Sequence, residues 1–448
     1  MSKNVREVAL QILIQIEKEQ AYSNLLLNQT INNGEIEKRD VGLLTELVYG
    51  TVQRKLTLTF FLTPFVKKGL ESLEPWVKTL LQMSVYQLVY LERVPERAVI
   101  HEAVTIAKKR GHDGTASLVN GILRSVQREG VPSFEKVTNQ TKRLAFEYSF
   151  PKWLVRRWLT TYGEEETREM MKMSLKPPVV SLRVNQLKTN QDDLAKILKE
   201  EGVLTRKGEL SSDALIVEEG NAFKTNAYRS GLFTAQDESS MLVAKALGPK
   251  AGEHILDSCA APGGKSTHIA ELMNNEGTLL SVDLHEHKVQ LIREQAKRLD
   301  LSMIEVVAAD VRAFSQKTPV ESFDAILLDA PCSGLGVIRR KPDIKWAKKE
   351  SDIQDIAEIQ AMILEAVAPL LKKGGRLVYS TCTIDQEENE AIVEHFIQTH
   401  PEFQWDITLS DRLPEKIVQS KRYKGGSVTI LPHDYETDGF FIASLMKK

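Results

Sequence analysis

Hydrophobic positions recur at three- and four-residue spacing in the first part of the chain, from Val5 to about Glu129. The segments VREVALQILIQI, VGLLTELVYGTV, WVKTLLQMSVYQLVYL and ASLVNGILRSVQ all show this spacing, which is typical of amphipathic helices. Gly and Pro residues separate the segments, for example at Asn33-Gly34 and Thr63-Pro64. The pattern predicts an all-helical domain over residues 1–135.

The pattern changes between residues 141 and 233. FPKWLVRRWLTTYG predicts an aromatic, basic amphipathic helix, and DDLAKILKEEG predicts a second helix. VVSLRVN and DALIVEE predict strands, because they are rich in β-branched residues. We therefore predict a small α+β domain over 141–233 that binds RNA or links its neighbours. Trp153, Arg156, Arg157 and Trp158 are available for base stacking and phosphate contacts, although core packing is the more common role of such tryptophans.

Short apolar runs alternate with amphipathic helices in the last part of the chain, residues 234–448. HILDSC, TLLSVDL, IEVVAAD, FDAILLDAP and RLVYSTC predict strands, and DGFFIASLMKK predicts a final antiparallel strand. This alternation is typical of a doubly wound, Rossmann-like α/β sheet, which binds its ligand beyond the carboxyl ends of the strands. The predicted fold class is therefore multidomain: a helical bundle, a small α+β domain and an α/β domain.

The composition agrees with a globular protein of several domains. The chain has 448 residues, of which 42% are hydrophobic and 27% are charged. Its formal net charge of −2 conceals basic clusters in the helical domain, at Arg54-Lys55, Lys67-Lys68 and Lys108–Arg110. Any one cluster is more often a solvated helix face. Several clusters on one small bundle favour a polyanionic partner such as RNA.

Cysteine content and hydropathy indicate the compartment. The chain has 3 cysteines. This number is small and odd, so a disulfide framework is not expected, and a reducing environment is favoured. No apolar run approaches the ~20 residues that a membrane helix needs, and the first residues lack the pattern of a secretory signal. We expect a cytoplasmic protein with no membrane partner, and we predict no metal site.

A glycine-rich turn follows the first strand of the α/β region, in LDSCAAPGGKSTHIAEL. A phosphate-binding P-loop has the pattern G-x-x-x-x-G-K-[ST]. In this chain Cys259 occupies the position of the first glycine, and Pro262 has no backbone N–H to offer a phosphate. The turn therefore matches a nucleotide loop in layout but is a poor cradle for phosphates.

Acidic residues at three successive strand ends favour a different ligand. Asp283 lies about 20 residues beyond the glycines, where an acid binds ribose hydroxyls. Asp310 is placed to accept from an adenine amino group, and Asp329 ends the next strand. One such Asp alone is often a loop or helix cap. Together they suit a ligand with adenosine and no phosphate, which predicts S-adenosyl-L-methionine as the cofactor.

Two cysteines follow neighbouring strands, in ILLDAPCSGLG and VYSTCTIDQEENE. A single buried cysteine is usually inert, but Cys332 and Cys382 are both predicted at the ligand edge of the sheet. Carbon 5 of cytosine is too poor a nucleophile to take a methyl group unless a thiolate first adds to carbon 6. Asp329 is a candidate to hold nitrogen 3 of that ring. Such a base must leave its stack, which favours single-stranded or flipped RNA.

The segments DSCAAPGGKS, LLDAPCSGLGVIRRKPD and VYSTCTIDQEENE together resemble the RNA 5-methylcytosine methyltransferases of the Nop2/Sun family. The resemblance implies that Cys382 is the nucleophile and that Cys332 assists product release. It also implies that the methyl donor is bound by Cys259, Ala260, Ala261, Pro262, Gly263, Gly264, Lys265, Asp283, Asp310 and Asp329.

The N-terminal bundle resembles the RNA-binding NusB-like domain of antitermination factors. A NusB-like domain joined to such a catalytic half is similar to bacterial enzymes that modify a cytosine of 16S rRNA. We therefore expect 16S rRNA as the partner, no DNA partner, and a monomer. Three alternatives stay open: the same chemistry on tRNA, a P-loop-like ATPase, and a non-catalytic assembly factor.

Overall fold

The computed structural model describes residues 4–19 and 23–448. The chain forms two compact units. The first runs to Lys176 and includes the separate segment Arg340–Lys349, and the second consists of Pro177–Arg339 and Glu350–Lys448. The segment 340–349 therefore leaves the second unit in the middle of its sequence and packs within the first.

The helices and strands are numbered in chain order. The helices of the N-terminal part are α1 (Val5–Glu19), α2 (Ser23–Asn32), α3 (Val41–Gln53), α4 (Lys55–Leu62), α5 (Pro75–Tyr90), α6 (Glu96–Arg110), α7 (Asp113–Glu129), α8 (Gln140–Tyr148) and α9 (Lys152–Ser174). The later helices are α10 (Gln191–Glu200), α11 (Asn226–Arg229), α12 (Glu238–Leu247), α13 (Gly264–Leu272), α14 (Glu286–Leu299), α15 (Val311–Ser315), α16 (Ile344–Ala347), α17 (Glu350–Val367), α18 (Glu390–Thr399) and α19 (Glu415–Val418). The strands are β1 (Ser181–Val184), β2 (Leu204–Lys207), β3 (Ala214–Glu219), β4 (Phe233–Ala235), β5 (His254–Asp257), β6 (Thr278–Asp283), β7 (Ile304–Ala308), β8 (Phe323–Asp329), β9 (Leu371–Thr381), β10 (Phe403–Trp405), β11 (Ser427–Ile430) and β12 (Phe440–Lys447).

The first unit is helical, as the spacing of its apolar residues predicts. In α7, for example, the buried residues Val119, Ile122, Leu123 and Val126 follow the three- and four-residue spacing of one helix face. Helix α9 bends at Gly163, whose φ of 79° is a conformation that glycine adopts readily. Trp158 in α9 is buried, which confirms the core-packing role for that tryptophan.

The second unit begins with a small antiparallel sheet. Its four strands are in the order β2-β3-β1-β4, and its core includes Leu182, Val184, Leu194 and Phe233. The sequence predicts β1, β3 and the helix α10 but misses β2 and β4. Strand β2 has the sequence LTRK, which lacks the alternation of apolar residues that marks a strand. The small α+β region is therefore confirmed, with two more strands than predicted.

A larger sheet of eight strands follows, in the order β10-β12-β9-β8-β5-β6-β7, with β11 paired to β12. Strands β5 to β9 pair in parallel, and β12 runs antiparallel to β9. The prediction of a doubly wound α/β sheet with a final antiparallel strand is confirmed. The sequence does not predict β10 and β11, which are short and lie in the connection to β12.

Strand β5 positions the ligand edge of this sheet, because it pairs with β6 on one side and with β8 on the other. The strand order reverses at this point, and ligands of doubly wound sheets bind in the crevice that the reversal opens. Strands β5, β6 and β8 end at Asp257, Asp283 and Asp329, so three carboxylates are grouped along one edge. In the described residues, no helix combines the length and apolarity that a membrane span requires.

Candidate active site

The two cysteines predicted to meet lie side by side in the structure. Cys332 and Cys382 follow β8 and β9, whose register pairs Asp329 with Ser380. Beyond the strands, Ala330 N–H donates to the Ser380 carbonyl over 2.8 Å. The two sulfur atoms are 3.3 Å apart, and both side chains are half-buried. Neither thiol forms a disulfide bond, so both sulfur atoms are available for chemistry.

The surroundings of the Cys332 thiol favour its protonated form. The pKa of the Cys332 thiol is raised well above its usual range by the hydrogen bond with Cys382 and by burial. Cys332 therefore keeps its proton at neutral pH and can donate it in a hydrogen bond to the neighbouring sulfur.

A lysine and a carboxylate lie close to this pair. Lys265 Nζ is 2.7 Å from Asp329 Oδ2, and the Ser380 hydroxyl donates to Asp329 Oδ1 over 2.8 Å. Burial lowers the pKa of the Lys265 ammonium, but the acidic groups around it, of which Asp329 contributes most, together raise that pKa overall. Lys265 is thus a fixed positive charge at the strand ends.

The predicted cofactor loop is held by two of the strand-end carboxylates. Asp283 Oδ2 accepts from Ala261 N–H over 3.0 Å, and Asp257 Oδ2 accepts from the Ser266 hydroxyl over 2.7 Å. Burial raises the pKa of Asp257 to about 7. Gly263, with φ 98°, turns the chain into α13. The loop therefore folds back against the acidic edge of the sheet.

Asp310 lies at the start of a helix, and the Cys259 thiol is partly buried in the loop after β5. Strand β7 ends at Ala308, earlier than the apolar run predicts, and Asp310 caps α15. Its carboxylate pairs with Arg312 over 2.6 Å, and hydrogen bonds from Arg312 hold the pKa of Asp310 below its usual range. Burial raises the pKa of the Cys259 thiol, so that loop cysteine is a poor nucleophile.

Arg183 lies on β1 and is fully buried, and the sequence does not predict its role. Its guanidinium pairs with Glu271 of α13 over 2.8 Å and donates to the Thr267 hydroxyl over 3.0 Å. It also donates to the Gly264 carbonyl over 2.6 Å. Arg183 thereby fixes the first turns of the helix that carries Lys265. The motif LRVN gives no sign of this role, because the contact joins distant parts of the chain.

Glu388 is a second residue that the sequence alone does not reveal. Its carboxylate is buried, and it accepts from Ser333 N–H over 2.7 Å and from the Thr383 hydroxyl over 3.2 Å. Ser333 and Thr383 are the residues that follow Cys332 and Cys382. Burial raises the pKa of Glu388. One carboxylate thus clamps the two loops that present the thiols.

Gly336 in the motif PCSGLG completes this packing. Its N–H donates to the Cys382 carbonyl over 3.0 Å. A Cβ at position 336 would lie 2.1 Å from the Gly439 carbonyl oxygen and 2.8 Å from the Cys382 carbonyl oxygen. The close approach of these backbones explains why glycine is required at this position.

A doubly wound sheet with an acidic ligand edge and a pair of thiols defines the class of an S-adenosyl-L-methionine-dependent RNA methyltransferase. The model for the 16S rRNA methyltransferase RsmB/F family matches residues 244–446. The NusB family matches residues 3–128, and the ferredoxin-like domain of RsmF/B-like methyltransferases matches residues 150–224.

The similar proteins extend over the whole chain. The chain is 52% identical to "Probable ribosomal RNA small subunit methyltransferase B" of Bacillus subtilis (strain 168), with 99% of each chain covered. It is 35% identical to the protein of the same description from Synechocystis sp., again with 99% of each covered. The chain therefore belongs to the RsmB/F family of 16S rRNA methyltransferases.

Solved structures support the same assignment. The crystal structure of PH0851 has a TM-score of 0.81 and 27% identity, and it covers 100% of both chains. NSun6 from Pyrococcus horikoshii, crystallised with SFG, has a TM-score of 0.60 and 26% identity, over 67% of this chain and 99% of that one. The resemblance to Nop2/Sun methyltransferases and to NusB-like domains, predicted from the sequence, is confirmed.

The cofactor prediction is also confirmed, because S-adenosyl-L-methionine is the methyl donor of this family. The residues at the strand ends fit it. In the part of the chain that the structure describes, the buried Asp257 Oδ1 has no hydrogen-bond partner, and a buried acceptor requires a donor. The acidic edge is suited to a cationic ligand and unsuited to a nucleoside triphosphate.

Proposed function

We propose that this methyltransferase modifies carbon 5 of a cytosine in 16S rRNA, through a transient bond between the Cys382 sulfur and carbon 6 of the ring. The observation that supports this best is the pair of thiols, 3.3 Å apart, at the ligand edge of the sheet. Methylation of a nucleobase nitrogen or a ribose oxygen needs no nucleophilic thiol, because those atoms carry lone pairs. Carbon 5 of cytosine needs activation by covalent catalysis.

Each residue of the proposed mechanism has a separate task. The Cys382 thiolate attacks carbon 6, and nitrogen 3 of the ring takes up a proton in its hydrogen bond with the Asp329 carboxyl group. Lys265 stabilises the negative charge that develops there. After methyl transfer, a base removes the carbon-5 proton, and the electrons of that C–H bond expel the Cys382 sulfur from carbon 6. Cys332 donates a hydrogen bond to the departing sulfur, which lowers the cost of expelling it. These roles follow the contacts of Asp329 with Lys265 and of Cys332 with Cys382.

The methyl donor, when bound, supplies an electrophilic methyl group to carbon 5. We assign its binding to the loop of residues 259–265 with Asp283, Asp310 and Asp329. Asp283 supports this loop through Ala261, and Lys265 is the loop residue that reaches Asp329. Both carboxylate oxygens of Asp310 accept hydrogen bonds from Arg312, so Asp310 would accept from the ligand through its remaining lone pairs.

The direct test is mass-spectrometric mapping of 5-methylcytosine in RNA from cells with and without this protein. We expect one cytosine of 16S rRNA to lose its methyl group in the deletion strain and to regain it with the wild-type gene but not with Cys382→Ala. Loss of 5-methylcytosine from tRNA instead would show that the substrate is wrong while the chemistry is right. No loss from any RNA would overturn the proposal.

The clamp formed by Glu388 leads to a prediction about the thiols. Glu388→Gln keeps the side chain's shape but presents an amide N–H₂ to donors at Ser333 and Thr383. We expect the rate of methyl transfer to fall by about 100-fold, because small misplacements of reacting groups have effects of this size. The affinities for RNA and for the methyl donor should be unchanged, since the Glu388 side chain is buried within the protein.

The exposed neighbour Glu387 provides the matched control. Single-turnover methylation with Glu387→Gln should proceed at the wild-type rate. If Glu388→Gln also reacts at that rate, the clamp has no part in positioning the thiols.

The basic residues of the helical unit give a prediction about RNA binding. The structure pairs Lys55 with Glu17 and Lys108 with Asp113, at 2.8 and 3.0 Å, and places the guanidinium of Arg54 4.0 Å from the Tyr90 ring. The Lys55 and Lys108 side chains are 37% and 69% exposed, so both charges remain at the surface. Neutralising Arg54, Lys55, Lys108 and Arg110 together should weaken RNA binding and reduce its salt dependence, because each phosphate contact releases counterions.

The measurement is the slope of log affinity against log salt between about 50 and 200 mM. With about 0.7 per contact for single-stranded RNA, the slope should fall by up to about 3. Arg54→Lys with Arg110→Lys keeps both charges and should leave the slope unchanged. An unchanged slope in the fourfold neutral variant would make these residues an ordinary solvated surface.

A further inference from the structure

The helical unit contains a cavity that the proposed mechanism does not use. It has a volume of about 170 Å³ and lies among α1, α3, α4, α5 and the segment 340–349. A cavity of about 150 Å³ can hold a benzene molecule, so this one has room for an aromatic ring. Leu13, Ile16 and Val52 form its apolar part.

Two buried polar side chains line this cavity without complete hydrogen bonding. Thr51 and Asp343 are 3% and 6% exposed. Among the residues described by the structure, Thr51 Oγ1 and Asp343 Oδ1 have no hydrogen-bond partner. The other carboxylate oxygen of Asp343 accepts from the Ser23 hydroxyl over 2.6 Å. Because buried polar atoms are nearly always paired, these two atoms indicate a ligand with polar groups.

An aromatic wall is fixed on one side of the cavity. Trp346 lines it, and the indole N–H of Trp346 donates to the Val52 carbonyl over 2.7 Å. The neighbouring Lys345 donates to the Gln53 carbonyl over 2.8 Å and is buried. Both contacts attach the segment 340–349 to the end of α3. A ring held in this way is a surface on which a nucleobase can stack.

A partly exposed ion pair also lines the cavity. Glu17 and Lys55 are 2.8 Å apart, and their side chains are 34% and 37% exposed. Lys55 is therefore within reach of both solvent and the cavity, where it can contact the phosphate of a nucleotide whose base is inside. A site for an unstacked base has these features together: an apolar floor, an aromatic wall, buried hydrogen-bond acceptors and a lysine.

We propose that this cavity receives one nucleobase of the RNA substrate, extruded from its stack, and prefers a base with an amino group. The preference follows from Asp343, because a carboxylate only accepts hydrogen bonds and cytosine, adenine and guanine offer amino donors. The inference depends on the proposed function only in requiring an RNA substrate. The captured base is distinct from the target cytosine and is a second point of recognition.

The test is ultraviolet cross-linking of the full chain to a 16S rRNA transcript, with the cross-linked peptides mapped by mass spectrometry. In the wild type, we expect a cytidine, adenosine or guanosine adduct on the segment 340–349. Ala347→Phe fills the cavity and should remove this adduct and weaken RNA binding by about tenfold. Asp343→Asn presents an amide donor and should shift the cross-linked nucleotide toward uridine.

Two further variants complete the design. Thr51→Val has nearly the same shape and should weaken RNA binding several-fold, so it decides the matter if Ala347→Phe fails to fold by circular dichroism. Glu135→Gln makes the same carboxyl-to-amide change at an exposed position and should leave binding and cross-link unchanged.

The proposal is overturned if the wild type gives no adduct on the segment 340–349, or if Ala347→Phe, once shown to be folded, or Thr51→Val binds RNA like the wild type. It is also overturned if Asp343→Asn leaves the nucleotide identity unchanged. Methylation of cytosine carbon 5, measured in the same reactions, separates the two proposals. A retained adduct without methylation contradicts only the proposed function, and methylation without the adduct contradicts only the cavity.

Discussion

Cys382→Ala should bind RNA and methyl donor normally yet form no covalent complex with RNA. The reason is that its sulfur is the proposed nucleophile, and removal of a nucleophile costs about 10⁴-fold in rate or more. The measurement is a denaturing gel with RNA containing 5-fluorocytosine, which traps the adduct because fluorine cannot leave as a proton does. Trapping of Cys382→Ala as readily as the wild type would show that the nucleophile is wrong.

Cys332→Ala should give the opposite result and accumulate an adduct with unmodified RNA. Its thiol keeps a proton, because the hydrogen bond to Cys382 and burial raise its pKa, and the sulfurs are 3.3 Å apart. Without that donor, Cys382 leaves the methylated ring slowly. The double variant Cys332→Ala with Cys382→Ala is the control. It should show no adduct, because the adduct is a bond between the RNA and the Cys382 sulfur, which this variant lacks.

Arg183→Met should have the largest effect on stability. The Arg183 and Glu271 side chains are 0% and 3% exposed, so the substitution leaves a buried carboxylate without its partner. Removal of one partner of a buried ion pair costs about 3–5 kcal/mol. We expect a loss of this size in the urea-unfolding transition of the second unit. The affinity for the methyl donor should also fall, because Arg183 contacts the Gly264 carbonyl.

The pH dependence of this loss identifies its cause. Burial raises the pKa of Glu271 even with Arg183 present, and Arg183→Met should raise it further. A carboxyl whose folded pKa is raised contributes stability at low pH that is lost as pH rises through that pKa. The loss should therefore be smaller at about pH 5 than at about pH 8.

Glu271→Met combined with Arg183→Met is the control for this prediction. The double variant removes both charges and should recover much of the stability that the single variant loses. A single variant that loses less than about 1 kcal/mol, with no pH dependence, would contradict a paired role for Arg183.

A helix or strand can be predicted from the sequence when its own residues show a clear spacing of apolar positions. Long amphipathic helices such as α7 and buried strands such as β8 have a clear spacing of apolar residues, so the sequence predicts them. Strands β2, β4, β10 and β11 have three or four residues. Runs so short contain too few alternating apolar residues to be distinguished from loops. Such segments become strands because they form hydrogen bonds with neighbouring strands in the folded protein.

The residues of the site also fall into two groups, those whose position the sequence predicts and those whose contacts only the structure shows. The carboxylates at the ends of β6 and β8 and both thiols lie directly after apolar strands, and parallel strands bring such positions to one edge. Asp310 shows the limit of that argument, because its carboxylate caps α15 and pairs with Arg312. The position of a residue after a strand therefore does not determine which hydrogen-bond partner its side chain has in the folded protein.

The sequence by itself determined the long helices, the longer strands and the ligand edge of the sheet, because each depends on spacing along a single segment. It also predicts the residues that are proposed to carry the chemistry. Only the tertiary structure decided that Arg183 fixes α13, that Glu388 clamps both thiol loops and that the segment 340–349 closes a cavity in the helical unit. These contacts join residues far apart in the chain. They depend on burial and hydrogen bonding in the folded molecule, which no local pattern records.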